Sequence, residues 1–185
     1  MTPPATLPPW VILDRDGVIN QDSDHYIKCV AEWLPIPGSL AAIGKLCQAG
    51  IRIAVATNQS GVGRGYFNEA GLTAIHTAMT QAVAAQGGRI DIIAYCPHTP
   101  DDGCQCRKPK PGLLRQIAQT TGTQLAGIPL VGDSLTDLQA ADRAGATAHL
   151  VLTGKGRRTA AALPDRHTYS VHADLLAFTT HLLGG

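Results

Sequence analysis

Two acids separated by one residue, Asp14 and Asp16, follow directly on the apolar run Trp10-Val11-Ile12-Leu13. Such a run reads as a buried strand. Carboxylates at its end are costly unless they hold a cation or do chemistry. A third acid, Asp133, closes a second run, Ile128-Pro129-Leu130-Val131, and Asp137 lies four residues further on, one helical turn away. Carboxylates gathered in one crevice repel each other unless a divalent cation neutralises them. All-oxygen ligation points to Mg²⁺, and a carboxylate beside that cation can attack an electrophile. The plainer alternative is a polar strand end at Asp14-Arg15-Asp16 and a turn with a helix cap at Gly132-Asp133-Ser134.

A second constellation is Cys96-Pro97-His98, then a turn, then Cys104-Gln105-Cys106. Two short chelating pairs can converge on one ion, and three thiolates with one imidazole suit tetrahedral Zn²⁺. With every position filled by protein, the ion's role is structural. It would fix the loop 96–106, which leads directly into Arg107 and Lys108. Buried thiols without metal, or a redox pair at Cys104 and Cys106, are the competing readings. Cys29 and Cys47 stand alone and read as packing thiols.

These groups need elements to hold them. Strands are expected near 10–14, 51–56, 90–95, 128–131 and 147–152. Helices are expected from Gly38-Ser39 to about Gln48, from Asn68 or Thr73 to Ala85, over 112–121 and 135–144, and near 174–183. Residues 18–37 lack a clean period and read as a flap or small hairpin over the first strand's end, while Gly61, Gly63 and Gly65 suggest a pliable loop. The alternation predicts an α/β fold, a Rossmann-like parallel sheet with helices on both faces. Every polar cluster then lies at a strand's carboxyl end, where ligands gather in such sheets. A single domain, 1–185, with no internal repeat is expected.

Composition excludes several classes. The 185 residues carry 15 basic and 14 acidic side chains, a formal charge of +1, and only 4% aromatics. This balance gives no support to nucleic-acid binding. No window resembles a membrane span or a signal peptide. The odd count of 5 cysteines and their clustering argue against a disulfide framework. The expectation is a cytoplasmic enzyme, monomeric, with no nucleic-acid or membrane partner. Arg157-Arg158, after the fifth strand, reads as a small solvated patch.

Asp14-Arg15-Asp16-Gly17-Val18 resembles the first motif of the haloacid dehalogenase-like phosphohydrolases. Thr57-Asn58 is similar to their second motif. Lys108 is placed like their third, and Gly132-Asp133-Ser134-Leu135-Thr136-Asp137 like their fourth. The motifs occur in order over roughly residues 10–140. The resemblance implies that Asp14 attacks phosphorus to form an aspartyl-phosphate, and that Asp16 protonates the leaving oxygen and later accepts a proton from water. It implies Mg²⁺ held by Asp14, the Asp16 backbone carbonyl and Asp133. Thr57 would donate to a phosphoryl oxygen, Lys108 would place a positive charge there, and Asp137 would orient Lys108 or a metal-bound water.

The gaps after strands one and two are too short for the cap domain that larger members carry. A cap-less chain with the zinc loop and Cys106-Arg107-Lys108-Pro109 is similar to a narrower group, the heptose-bisphosphate phosphatases and the related histidinol-phosphatases. That implies a small-molecule sugar bisphosphate as substrate. Asp22, Asp24, His25 and Tyr26 of the flap would meet the sugar, and Asn58, Gln59, Ser60, Arg107 and Lys108 would contact the substrate. Arg107 is the expected partner of a second phosphate. Ser134 departs from members with lysine after the metal aspartate. Other readings are a histidinol-phosphate phosphatase, a nucleic-acid 3′-phosphatase, which the low aromatic content disfavours, and a zinc-stabilised binding module.

Overall fold

The strand Trp10–Leu13 (β1) has all four side chains buried, two on each face, because successive strand residues alternate. Val11 and Leu13 join one core, and Trp10 and Ile12 join the other. A strand apolar on both sides must be central, and β1 is. In this computed structural model, which describes residues 7–184, β2 (Arg52–Asn58), β3 (Ile92–Cys96), β4 (Pro129–Gly132), β5 (Thr147–Val151) and β6 (Ser170–His172) complete a parallel sheet. The order is β3-β2-β1-β4-β5-β6. Residues 1–6 of the proline-rich lead-in lie outside the described residues.

Helices cover both faces. The helices α1 (Ser39–Gln48), α3 (Glu69–Ala85) and α7 (Leu175–Leu182) pack with Val11, Leu13, Ile53 and Val55. On the other face α4 (Gly112–Thr121) and α5 (Leu135–Ala144) pack with Trp10, Ile12, Ala54 and Ala56. This is the α/β architecture expected, and α1, α4 and α5 have the expected bounds. Asn68 accepts from Gly71 N–H and Asp174 from Ala177 N–H, so side-chain caps set the starts of α3 and α7.

Three features differ from expectation. Residues 60–65 are not simply a glycine loop, since Ser60–Gly63 winds into a single turn, α2. The residues after β5 form α6 (Gly156–Ala162) rather than a polar loop, and a short sixth strand follows at the sheet's edge. Neither has a strong apolar period. The β6 strand is three residues long with a mostly exposed pattern.

Residues 14–38 fold tightly over the carboxyl end of β1. Asn20 bridges backbone to both Asp16 and Pro35, and Val18, Ile19, Ile27, Trp33 and Ile36 are buried beneath. The described residues contain no cap domain, and none of their helices is long and apolar enough to cross a membrane.

Candidate active site

The sheet order reverses at β1, which pairs with β2 on one side and β4 on the other. Asp14 and Asp133 therefore leave adjacent strands at the switch point. The Asp14 N–H donates to Val131 O at 2.9 Å, which keeps the two chain ends side by side. Carboxylate oxygens of Asp14, Asp133 and Asp137 all lie within 4.8 Å of one another. Gly17 sits against Asp133 at φ +80°, where a β-carbon would overlap the carboxylate. Gly132 lies equally close to Asp137.

This cluster is electrostatically frustrated. Burial, with repulsion from Asp137, Asp133 and Asp16, pushes the Asp14 carboxyl well up, although Lys108 opposes the shift. Burial, followed by repulsion from Asp137, raises Asp133 to about 7. Such a set is short of positive charge, and a hard divalent cation fits it.

Lys108 is the buried cation that meets Asp14 and Asp137. Its Nζ lies 2.9 Å from Asp14 Oδ1 and 2.6 Å from Asp137 Oδ1, and donates to Ala56 O at 2.7 Å. Burial opposes its charge, but Asp137 and Asp14 outweigh it, so its pKa is raised. Asn58 holds the Lys108 backbone from both sides, donating to Lys108 O at 3.0 Å and accepting from Lys108 N at 3.1 Å. Asp137 Oδ2 also accepts from Ser134 N and Oγ, tying Lys108 to the start of α5.

Asp16 sits differently. Arg15, wholly buried, grips it through Nε and Nη2, and Asn20 and Gln59 donate as well. Burial alone would raise its pKa, but Arg15 and these donors hold it below the usual carboxylate range. Gln59 Nε2 also donates to Thr57 Oγ1 at 2.8 Å, which leaves the Thr57 proton free to donate elsewhere.

A cleft of about 470 Å³ opens above these groups. It brings together Asp14, Asp16, Asp22, Asp24, Tyr26, Thr57, Asn58, Gln59, Ser60, Arg107, Lys108 and Asp133, all named from sequence. His25 is an exception: it is exposed and lines a different groove, with Lys28 and Glu32. Its neighbours Asp22 and Tyr26 line both grooves, and Asp24 lines the cleft. Tyr26 takes φ +64°, and its ring stands 5.1 Å from that of Tyr66. Arg107 donates to His98 O at 3.2 Å.

Two cations of the cleft were given no site role from sequence. Lys155 N donates to Asp133 Oδ2 at 2.7 Å, and its Nζ meets Asp22 Oδ2 at 2.8 Å. Arg158, about one turn on, is exposed, as a solvated patch would be, and also lines the cleft. The signal available was position alone, since both follow the carboxyl end of β5.

The second constellation also assembles. One ligand atom each from Cys96, His98, Cys104 and Cys106 lies within 4.8 Å of the others. The sulfurs of Cys106 and Cys96 are 2.9 Å apart, and His98 Nδ1 is 3.3 Å from Cys106 Sγ. Burial raises the Cys96 thiol, whereas Cys104, despite some burial, is lowered to about 7 by donors that include Arg107 N–H and Cys106. Three sulfurs and one ring nitrogen at this spacing fit Zn²⁺.

Comparison with known proteins agrees with this geometry. Residues 105–178 match a family model described as HAD-hydrolase-like. A Pseudomonas aeruginosa protein named D-glycero-beta-D-manno-heptose-1,7-bisphosphate 7-phosphatase is 59% identical over 149 residues, covering 80% of this chain and 84% of its own. The Bordetella bronchiseptica protein of that name is 54% identical over 175 residues, covering 94% and 97%. A crystal structure of the B. bronchiseptica D,D-heptose 1,7-bisphosphate phosphatase, complexed with magnesium and phosphate, superposes with a TM-score of 0.91 at 53% identity over 95% of this chain and 98% of that one. The fold, the four motifs and these relatives agree that the chain belongs to the haloacid dehalogenase-like phosphohydrolases, in the D-glycero-D-manno-heptose-1,7-bisphosphate 7-phosphatase family.

Proposed function

We propose that the chain, acting as one catalytic domain, removes the 7-phosphate from D-glycero-D-manno-heptose 1,7-bisphosphate. That places it in lipopolysaccharide core or nucleotide-activated heptose synthesis. The β anomer is the form in the names of the relatives. The observation that carries the reading is the meeting of Asp14, Asp133 and Lys108 at the floor of one cleft. Cys96, Cys104 and Cys106 work best reduced, which suits the cytoplasm.

Asp14, Asp133 and the Asp16 backbone carbonyl would hold Mg²⁺. When bound, the ion supplies the positive charge that lets an anionic carboxylate approach an anionic phosphate. Asp14 attacks phosphorus, and the bond from phosphorus to the sugar's C7 oxygen breaks. Oδ1 of Asp14 accepts from Arg15 N and faces Lys108, while Oδ2 has no hydrogen bond among the described residues and is free to react or to bind metal. Thr57 donates to a phosphoryl oxygen, and Lys108 places its charge against the same group. Asp16 protonates the sugar oxygen, then takes a proton from the water that cleaves the aspartyl-phosphate, releasing inorganic phosphate. To do so it must turn from Arg15, Asn20 and Gln59, which favour its ionised form, take up a proton from solvent, and face the leaving oxygen. Asp137 keeps Lys108 in place, and Gln59 and Asn58 orient Asp16, Thr57 and the Lys108 backbone. Asp22, Asp24, Tyr26, Ser60 and Arg107 surround the sugar.

Cys96, His98, Cys104 and Cys106 would hold Zn²⁺ as a structural ion that fixes the path into Arg107 and Lys108. Phosphate release with Mg²⁺ tests the assignment. Turnover of heptose 1,7-bisphosphate should exceed that of histidinol phosphate at least about tenfold in kcat/KM. The opposite preference would contradict it.

A further inference from the structure

The bisphosphate carries its second phosphate at the far end of the sugar from the one removed, and a dianion needs cations of its own. From sequence Arg107 is the expected partner. The structure puts Arg107 next to Lys108 in the chain, with its guanidinium donating to His98 O of the cysteine loop. The cleft instead continues on another side. A second groove of about 590 Å³ shares Asp22, Asp24, Lys155 and Arg158 with the first. It runs between the flap over β1 and the segment joining β5 to α6.

Two of the four shared residues are cations: Lys155 ends that segment, and Arg158 stands in the first turn of α6. Lys155 is anchored from below: its own N–H holds Asp133, Thr153 Oγ1 donates to Gly17 O at 2.6 Å, and Thr159 Oγ1 donates to Asp133 O at 2.8 Å. The segment is thus in fixed register with the metal-binding acid, while the Lys155 ammonium reaches out to Asp22 of the flap. Arg158 is exposed and makes no ion pair among the described residues. Its planar guanidinium suits two phosphate oxygens at once.

We propose, building on the heptose-bisphosphatase reading above, that Arg158 and Lys155 bind the phosphate the enzyme leaves in place and so set the preference for a bisphosphate over a monophosphate. Asp22, held by Lys155, and Asp24 accept hydroxyl groups of the sugar between the two phosphates. The position after the metal acid, a serine here at 134, lines the first cleft and carries no charge. Of the cations that line the first cleft, Lys155 and Arg158 are the ones that also line the second groove.

The test compares heptose 1,7-bisphosphate with the same heptose carrying only the 7-phosphate. Arg158→Ala should lower the ratio of the two kcat/KM values about tenfold, mainly through KM for the bisphosphate. Arg158→Lys should restore part of it, and adding Lys155→Gln to Arg158→Ala should lower the ratio further. A merely structural role would depress both substrates together and leave the ratio intact, which would overturn the assignment. So would a ratio that collapses in Arg107→Ala and stands in Arg158→Ala. Failure of the unaltered enzyme to hydrolyse the bisphosphate would instead reject the reading on which the inference rests.

Discussion

Lys108 and Asp137 form an ion pair of 2.6 Å in which both side chains are almost fully buried. The pair does two jobs at once. One Asp137 oxygen faces the ammonium, and the other accepts from Ser134 and caps α5. Removing one partner of a buried pair strands the other. Asp137→Asn should destabilise the fold by about 3 kcal/mol in urea unfolding, and it should lower kcat by loosening Lys108. A variant within a few tenths of the parent would deny the pair any structural weight.

Asp14→Asn separates chemistry from stability. Asp14 is a buried acid among acids, and its ionised form is disfavoured. The neutral amide should leave the protein folded, with a Tm in metal-free buffer no lower than the parent's. Turnover should fall by roughly three to six orders of magnitude, as expected on losing a nucleophile. Activity within a factor of ten of the parent would remove Asp14 from that role.

Acid should weaken the fold through two buried histidines. Burial, aided by Arg15, lowers His76 to about 4, and burial, aided by His172 and His181, lowers His149 to about 4. In the unfolded chain both titrate near 6.5. Between these values the unfolded chain binds protons that the native one refuses. The stabilisation is thus complete above about pH 6.5 and lost as pH falls toward 4, on the order of 3 kcal/mol for each group. Urea unfolding across that range should show the slope, and His76→Gln or His149→Gln should flatten it. Equal slopes in parent and variants would assign the acid sensitivity elsewhere.

The cysteine loop predicts a metal content. Purified protein should hold close to one zinc per chain, and Cys106→Ser should lose it. Loss of the ion should cut kcat/KM about tenfold or more by freeing the loop ahead of Arg107 and Lys108. Zinc-free protein with full activity and an ordered loop would contradict a structural ion.

What the sequence made legible was chemistry tied to strand ends. Asp14 and Asp133 could be placed because each ends an apolar run long enough to announce a buried strand. Neighbouring β1 and β4 then bring them together. Cys96, His98, Cys104 and Cys106 could be grouped because they are close in the chain. Lys155 and Arg158 could not be reached this way. Their place depends on how the segment after β5 packs against Asp133 and Gly17, a contact between residues far apart in sequence. His25 lines a neighbouring groove instead of the cleft for a related reason. Without a periodic pattern, the flap offers no rule for which side chains face in. The role of Asn58 as a clamp on the Lys108 backbone spans 50 positions and leaves no local trace.

The central claim is that Asp14 is transiently phosphorylated. The stereochemical course at phosphorus tests it most directly, using a substrate whose transferred group is made chiral with sulfur and oxygen isotopes and labelled water. Two in-line displacements, first by Asp14 and then by water, predict retention of configuration. Inversion would mean that water attacks the sugar phosphate itself, and the account would be wrong.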